Sequence, residues 1–388
     1  MILYSKHIIL EDREFDGFLE LQDGKIKGLH SAWDGPYRDF GDQVILPGFI
    51  DIHIHGWATG SFWFEKTAGA VGEMCRTLPY AGVTSFLATS GADTIPEIKR
   101  CIAAADEAYE AGYPGAELLG VHLEGPFINP QYRGMQREKC CIAPSLEMME
   151  ELYGSFRHPQ LCRHMTIAVE REGAGEVLAF CRSHGIQTAV GHSAATFEEI
   201  RRMREYGIGG FTHTFSGMRG FHHREPGVAG AALYFDDMMC EFAKQTGMTV
   251  SHEAFDIAYR IKGSGRIILT TDCSGLAQTQ TEFDHYVRKM KFVKDGDRLR
   301  IDHYDGRKEW VNPRDYEAVK ELELSYAGKA YAGGLAGHHA HDQSESGPVY
   351  PCGRPQGQHR TGKGRGSDDS GSGFESGLRV LQGKGDRK

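Results

Sequence analysis

Two histidines stand two residues apart in Asp51-Ile52-His53-Ile54-His55. On an extended strand, residues i and i+2 project to the same side, so both imidazoles face one way while Ile52 and Ile54 face the other. Two neutral imidazoles so placed can share a metal ion. Glu124 in HLEGPF, His192 in GHS and His213 in THTF add the oxygen and nitrogen donors expected for Zn²⁺ or Fe²⁺ rather than Mg²⁺. Read singly, each has a plainer alternative: a core histidine, or a salt-bridged carboxylate at Glu124. Asp272 closes the run IILTTD. A carboxylate there can take a proton from water activated by a metal and later pass it to a leaving amine, or it can simply cap the following segment. Arg224 in FHHREPG can grip a phosphate or carboxylate through its two-pronged guanidinium, the alternative being a surface ion pair with Glu225.

These residues need a frame that brings distant segments to one place. From about residue 50, apolar strand-like runs alternate with helix-like stretches: FIDIHIHG, GVTSFLATS, LLGVHLEGPF, MTIAVE, IQTAVGHS, GGFTHTFSGM, a weaker CEFAKQTGMTVSH, and RIILTTD. Buried runs separated by amphipathic segments such as EVLAFCRSHG and FEEIRRMREYG predict parallel βα units, and eight of them fit a (β/α)8 TIM-like barrel of the α/β class. A doubly wound sheet is the alternative topology. The polar residues fall at the C-terminal ends of the runs, which is the catalytic face of such barrels. Buried polar groups without partners cost about 1–3 kcal/mol each, so their convergence calls for a shared partner such as a metal.

The chain divides into a small β domain over residues 1–48, the barrel over 49–330 and an atypical tail over 331–388. Residues 1–50 show short β-type runs and turn signals (DGKIKG, FGDQ, LPGF) that predict a β-meander. The tail is rich in Gly and almost devoid of Ile, Leu, Val and Phe, so it buries too little apolar area to offset its ordering entropy. A flexible tail is one reading. The favoured one is a reading-frame shift, because plausible codons for DQSESGPVYPCGRPQGQHRTGKG, read one nucleotide away, can spell TSLNPARYIRVDDRKGSIAPGK.

With 53 acidic against 44 basic residues, the net charge of −9 gives no general reason to bind nucleic acid. No uncharged apolar run approaches the roughly 20 residues of a membrane span, and acids follow the N-terminus too early for a signal peptide. A cytoplasmic protein without nucleic-acid or membrane partners is expected. Nine cysteines, with Cys140 and Cys141 adjacent and no CxxC, predict reduced thiols and no thiolate zinc site.

Taken in order, LPGFIDIHIHG, GVTSFLATS, HLEGPFINPQYRG, AVGHS, THTFSGM, HHREPGVAGAAL and LTTDC are similar to the motifs of the amidohydrolase superfamily, and within it to the N-acetylglucosamine-6-phosphate deacetylase family. The resemblance covers about residues 1 to 275. It implies that Glu124, His192 and His213 hold the principal divalent metal, Zn or Fe, and that His53 and His55 add ligands or a second ion. Asp272 would be the general acid/base. Arg224 would bind the 6-phosphate, with His223, Gln136, Ser216 and Gly217 lining the sugar pocket. The implied reaction hydrolyses the acetamide of N-acetylglucosamine 6-phosphate to glucosamine 6-phosphate and acetate in amino-sugar catabolism, by a protein that forms a homodimer. Where relatives carry Asp-Gly-x-His-Val on the seventh strand, this chain has Thr246-Gly247-Met248-Thr249-Val250, with His252 as the candidate replacement imidazole. The NPA and GxIxxGxxAD motifs that complete the small β-sandwich domain in relatives do not occur, so that domain is expected to be incomplete at its C-terminal end. Another N-acyl substrate, such as N-acetylgalactosamine 6-phosphate, and a catalytically silent metal-binding homologue are the alternatives.

Overall fold

The computed structural model describes residues 1–58, 60–243, 249–275, 282–285, 290–295, 298–311 and 378–380. The chain divides into two compact units at Gly48/Phe49. In the first, β1 (Ile2–Ile9), β2 (Glu14–Gln22) and β3 (Lys25–His30) form the expected antiparallel meander. The short β4 (Arg38–Asp39) and β5 (Val44–Pro47) then run parallel to β1, which a pure meander does not do. Leu3, Ile8, Leu19 and Ile45 form the core of this unit. One piece of the tail, β20 (Leu378–Val380), pairs antiparallel with β5, Leu378 opposite Pro47. The rest of the segment read as frameshifted lies outside the described residues.

The second unit is built on eight parallel strands. They are β6 (Phe49–Ile54), β9 (Val83–Ser90), β10 (Glu117–Glu124), β11 (Cys162–Ile167), β12 (Gln187–Val190), β13 (Gly210–Phe211), β14 (Met239–Ala243) and β15 (Ile267–Thr270), each paired with the next in chain order. Between β6 and β9 lies a two-stranded ribbon, β7 (Gly56–Trp57) with β8 (Gly60–Ser61). The ring closes where β15 runs out: Asp272 N–H donates to His53 O at 2.8 Å, His55 N–H to Cys273 O at 2.8 Å, and Gly56 bridges Ser274. This is the predicted TIM-like barrel, and the doubly wound alternative falls because the first and last strands meet.

Helices α1 (Phe62–Glu65), α2 (Ala68–Thr77), α3 (Ile95–Ala111), α4 (Leu146–Tyr153), α5 (Ala174–Ser183), α6 (Phe197–Met203), α7 (Gly227–Tyr234) and α8 (His252–Lys262) occur between or just after these strands. Their starts are set by side chains that satisfy otherwise unpaired N–H groups. Thr67, Ser145 and Ser251 cap α2, α4 and α8, and Thr196 with Glu199 forms a capping box on α6. The outward residues of the strands, such as Ile54, Val121, Leu123, Met165 and Ile167, pack with Val71, Met74, Ile98, Ile102 and Val177 of the helices. Beyond β15, strands β16 (Glu282–His285), β17 (Met290–Asp295), β18 (Arg298–His303) and β19 (Lys308–Val311) make an antiparallel meander. Among the described residues no helix is long and apolar enough to cross a membrane, and the eight cysteines there are free and buried.

The barrel interior carries a polar column in place of the usual branched aliphatic layers. His122 Nε2 lies 2.8 Å from Thr166 Oγ1, and Thr166 Oγ1 lies 2.7 Å from Thr212 Oγ1. The His122 ring stands edge-on to His53 at 4.6 Å and to His164 at 4.5 Å. Burial drives the His122 imidazole well below its ordinary pKa and His164 down to about 4, so both are neutral bases within the wall.

Candidate metal centre and active site

The alternation of β6 does what its spacing predicts. His53 and His55 point inward with their Nε2 atoms 3.3 Å apart, while Ile54 packs outward. Glu124, at the end of β10, stands between them and two further imidazoles. Its Oε1 lies 3.3 Å from His53 Nε2, 3.0 Å from His192 Nε2 and 3.1 Å from His213 Nε2, and its Oε2 lies 3.3 Å from His55 Nε2. All five side chains are buried. They form two donor clusters that share Glu124: His53, His55 and Glu124, and Glu124, His192 and His213.

The proton positions follow from the other ring nitrogens. His53 Nδ1 faces Glu241 Oε1 at 2.7 Å, His55 Nδ1 faces Thr89 O at 3.0 Å, His192 Nδ1 faces Tyr132 O at 2.7 Å, and His213 Nδ1 faces Ser216 O at 3.1 Å. Each of these oxygens accepts, so each Nδ1 donates and each Nε2 is left with a lone pair aimed at the centre. Lone pairs 3.1 Å apart, as on His192 and His213, repel unless a cation lies between them. Two nitrogens at about 2.0–2.1 Å from one tetrahedral ion are about 3.3 Å apart, close to the spacings here. The donor set therefore fits a divalent metal.

Electrostatics agree. Burial works to raise the Glu124 carboxyl, but the facing His53 and His192 overcome it and hold Glu124 well below the usual carboxylate range. Burial likewise works to lower His53, yet Glu241 and Glu124 pull it well above the usual imidazole value. The carboxylates thus draw positive charge to the centre, a proton on His53 when no ion is bound and a divalent cation in its place when one is, which leaves Nε2 free to ligate.

The turns after the strands are unusual. His192, His213 and Asp272 all adopt left-handed backbone conformations, with φ of 47°, 30° and 46°. Such angles are uncommon for residues with a Cβ and cluster where a site demands a particular side-chain direction. They also end β13 after two residues, shorter than the run GGFTHTFSGM suggests. Asp272 Oδ1 comes within 3.3 Å of His55 Nε2 and 3.6 Å of His53 Nε2, and its side chain is a quarter exposed. It touches both the donor cluster and solvent, the position a proton carrier needs.

The pocket residues of the sequence reading are placed less uniformly. Gln136 is buried and its amide is already engaged: Nε2 donates to Glu124 Oε2 at 2.6 Å and Oε1 accepts from Ala92 N–H at 2.9 Å. It holds the Glu124 carboxylate in place. Ser216 and Gly217 lie beside the centre through their backbone, the carbonyl of Ser216 fixing His213 and that of Gly217 accepting Ser193 N–H at 3.2 Å. His223 and Arg224 are exposed on the loop before α7 and are not among the side chains that converge on Glu124. Glu225, the alternative ion partner of Arg224, instead accepts from Phe197 N–H at 2.8 Å and Gly227 N–H at 3.1 Å. The structure corrects the reading of the seventh strand. Strand β14 ends at Ala243 and does not run on to His252, which is exposed as the first residue of α8 behind the Ser251 cap. Thr246, Gly247 and Met248 lie outside the described residues.

Four contributors were not singled out from the sequence, the first being Tyr132, whose carbonyl backs His192. Glu241 backs His53, Thr89 O backs His55, and the half-buried Trp63 indole lies 5.0 Å from the His55 ring. Only Glu241 left a visible signal, an acidic residue inside the otherwise apolar strand MCEFA.

Residues 44–281 match the model of the amidohydrolase family. The N-acetylglucosamine-6-phosphate deacetylase of Vibrio furnissii is 31% identical over 276 residues, covering 70% of this chain and 68% of that protein. The N-acetylgalactosamine-6-phosphate deacetylase of Shewanella sp. (strain ANA-3) is 31% identical over 297 residues, covering 74% and 72%. Among solved structures, N-acetylglucosamine-6-phosphate deacetylase from Thermotoga maritima superposes with a TM-score of 0.64 at 28% identity, covering 86% of this chain and 85% of that one. The chain belongs to the amidohydrolase family, in the branch that holds the N-acetylglucosamine-6-phosphate deacetylases.

Proposed function

We propose that this chain hydrolyses the acetamide of N-acetylglucosamine 6-phosphate, releasing acetate and glucosamine 6-phosphate, in amino-sugar catabolism. The observation that carries the reading is the joining of four Nε2 lone pairs and both Glu124 oxygens to an adjacent, partly exposed Asp272. Glu124, His192 and His213 hold one divalent ion, and His53 and His55 with Glu124 provide for a second. Zn²⁺ and Fe²⁺ suit these donors. Bound there, the metal polarises the amide carbonyl and lowers the pKa of water towards neutrality.

The chain's own groups do the rest. The Asp272 carboxylate accepts a proton as the water oxygen bonds to the acetyl carbon. It then returns that proton to the sugar nitrogen as the C–N bond breaks, so the amine leaves neutral. The Nδ1 contacts and the Gln136 amide keep the donors fixed through both steps. Arg224 supplies the charge for the 6-phosphate, and His223, Ser216 and Gly217 flank the sugar; His252 lies on the solvent side at α8. A homodimer is the working assembly, as the resemblance implies.

Steady-state kinetics with N-acetylglucosamine 6-phosphate, N-acetylgalactosamine 6-phosphate and unphosphorylated N-acetylglucosamine test the reading. The first is expected to have the highest kcat/KM. Arg224→Ala is expected to raise KM for both phosphorylated sugars and leave the unphosphorylated one unchanged. A preference for the galactose epimer would move the chain to the alternative substrate, which the similarity to the Shewanella protein makes specific. Turnover of none of the three with metal bound would support a silent homologue.

A further inference from the structure

Glu241 differs from every other group that backs a ligand histidine. Thr89, Tyr132 and Ser216 offer neutral carbonyls, whereas Glu241 offers a carboxylate, buried to 3% exposure on β14. A single oxygen, Oε1, accepts from His53 Nδ1–H at 2.7 Å and from the backbone N–H of His213 at 3.2 Å. Its own main-chain carbonyl accepts from Thr214 N–H at 2.6 Å. His53 belongs to one donor cluster and His213 to the other.

We propose that Glu241 is a positioning residue that couples the two metal subsites, holding a ligand of each through one carboxylate oxygen and making the His53 subsite the more dependent on it. The inference rests on the metal reading above. Two physical effects act together. A carboxylate on Nδ1–H fixes the tautomer and raises the basicity of Nε2, so His53 is the imidazole whose donor strength is set by a charge. At His213 the left-handed φ of 30° is unfavourable for a residue with a Cβ, and the paired bonds from His213 N–H and Thr214 N–H to Glu241 hold that turn in place. The two effects are unequal. Loss of the charge reaches Nε2 of His53 directly, but reaches the His213 ring only through its backbone, where Ser216 O still holds Nδ1.

The test is isothermal titration of the chelator-stripped full chain with Zn²⁺, repeated with Co²⁺ while following its visible absorption. Wild type, Glu241→Gln and Glu241→Leu are compared, with thermal melts of each stripped protein. Wild type is expected to take two ions per chain. Glu241→Gln keeps an oxygen facing His53 but no charge, and is expected to loosen the weaker ion about 10- to 100-fold while leaving the tighter one within about threefold. Glu241→Leu is expected to take one ion and to lose one component of the cobalt spectrum. Should the Leu variant fail to melt cooperatively, the Gln variant alone decides. Two ions bound with unchanged affinity in both variants, or equal weakening of both ions, would overturn the proposal while leaving the metal centre standing. A wild-type chain that binds one ion would overturn the coupling of two subsites, and one that binds none would overturn the metal reading with it.

Discussion

Replacing Asp272 by Asn removes a proton acceptor while leaving almost everything else in place. Asp272 sits at φ 46°, a left-handed conformation that Asn is among the few residues to tolerate, so the substitution adds little backbone strain. Its structural bond to the barrel is the main-chain N–H to His53 O at 2.8 Å, which Asn keeps. An amide oxygen can also occupy the place of Oδ1, 3.3 Å from His55 Nε2. Folding and metal content should therefore be preserved, and the loss should fall on proton transfer. General acid–base transfer contributes about 10²- to 10⁴-fold, which at 1.36 kcal/mol per tenfold is about 3–5 kcal/mol of barrier. The assay is acetate release at saturating N-acetylglucosamine 6-phosphate, with metal content and melting temperature measured on the same preparations. The expected result is a kcat lower by about two to four orders of magnitude, with metal unchanged. A kcat within about threefold of wild type would refute the role of Asp272 as proton carrier, and loss of metal would show that it acts mainly as a ligand.

Gly217→Ala tests how tightly the turn behind His192 is packed. Its φ is 57°, and an added Cβ would meet His192 Nδ1 at 3.0 Å and Tyr132 O at 3.2 Å, so a loss of about 1–2 kcal/mol of stability and weaker metal binding are expected in melts and titrations. Unchanged values would mean the turn is looser than described. His164 gives a pH signature. The residue is partly accessible, but its Nε2 is buried without a hydrogen-bond partner among the described residues, and burial holds its pKa at about 4 against an ordinary 6.5. The unfolded chain thus binds this proton more readily than the folded one. Its full stability is present above about pH 6.5 and is lost as pH falls towards about 4, by no more than about 3 kcal/mol. His164→Leu is expected to flatten the fall in chemical-denaturation stability between pH 6.5 and 4 by up to one proton, and an unchanged slope would contradict the neutral, buried His164.

Most of the barrel was legible because its strands are short apolar runs bounded by turn signals, and the period of two in Asp51–His55 already separates an inward from an outward face. The five donor residues were legible only as a set, from their places at strand ends and the likeness of their motifs to the family's; read singly each had a plainer use, as His122 and His164 show within the same barrel. The structure adds what periodicity does not carry. The left-handed turns at His192, His213 and Asp272 depend on the order of contacts around each turn, with no local residue preference to announce them. Backbone carbonyls such as Thr89 O and Tyr132 O become partners only through folding, since any residue type can supply them. Gln136 shows the limit from the other side. Its position near the site was readable, but whether its amide faces a sugar or Glu124 depends on a separation of 2.6 Å that no spacing encodes. Strand β14 is described over Met239–Ala243 and the residues that follow it, Lys244-Gln245-Thr246-Gly247, are polar; His252 was offered by its nearness in sequence to the family's Asp-Gly-x-His-Val position, and sequence distance does not say that it opens α8 behind the Ser251 cap.

The most direct measurement is acetate release from N-acetylglucosamine 6-phosphate by the purified chain before and after chelation, with bound metal quantified in the same samples. The converging Nε2 atoms and Glu124 predict release that vanishes as metal is stripped and returns with added Zn²⁺ or Fe²⁺. Release that persists in a fully stripped protein, or a metal-replete protein that releases no acetate, would contradict the account.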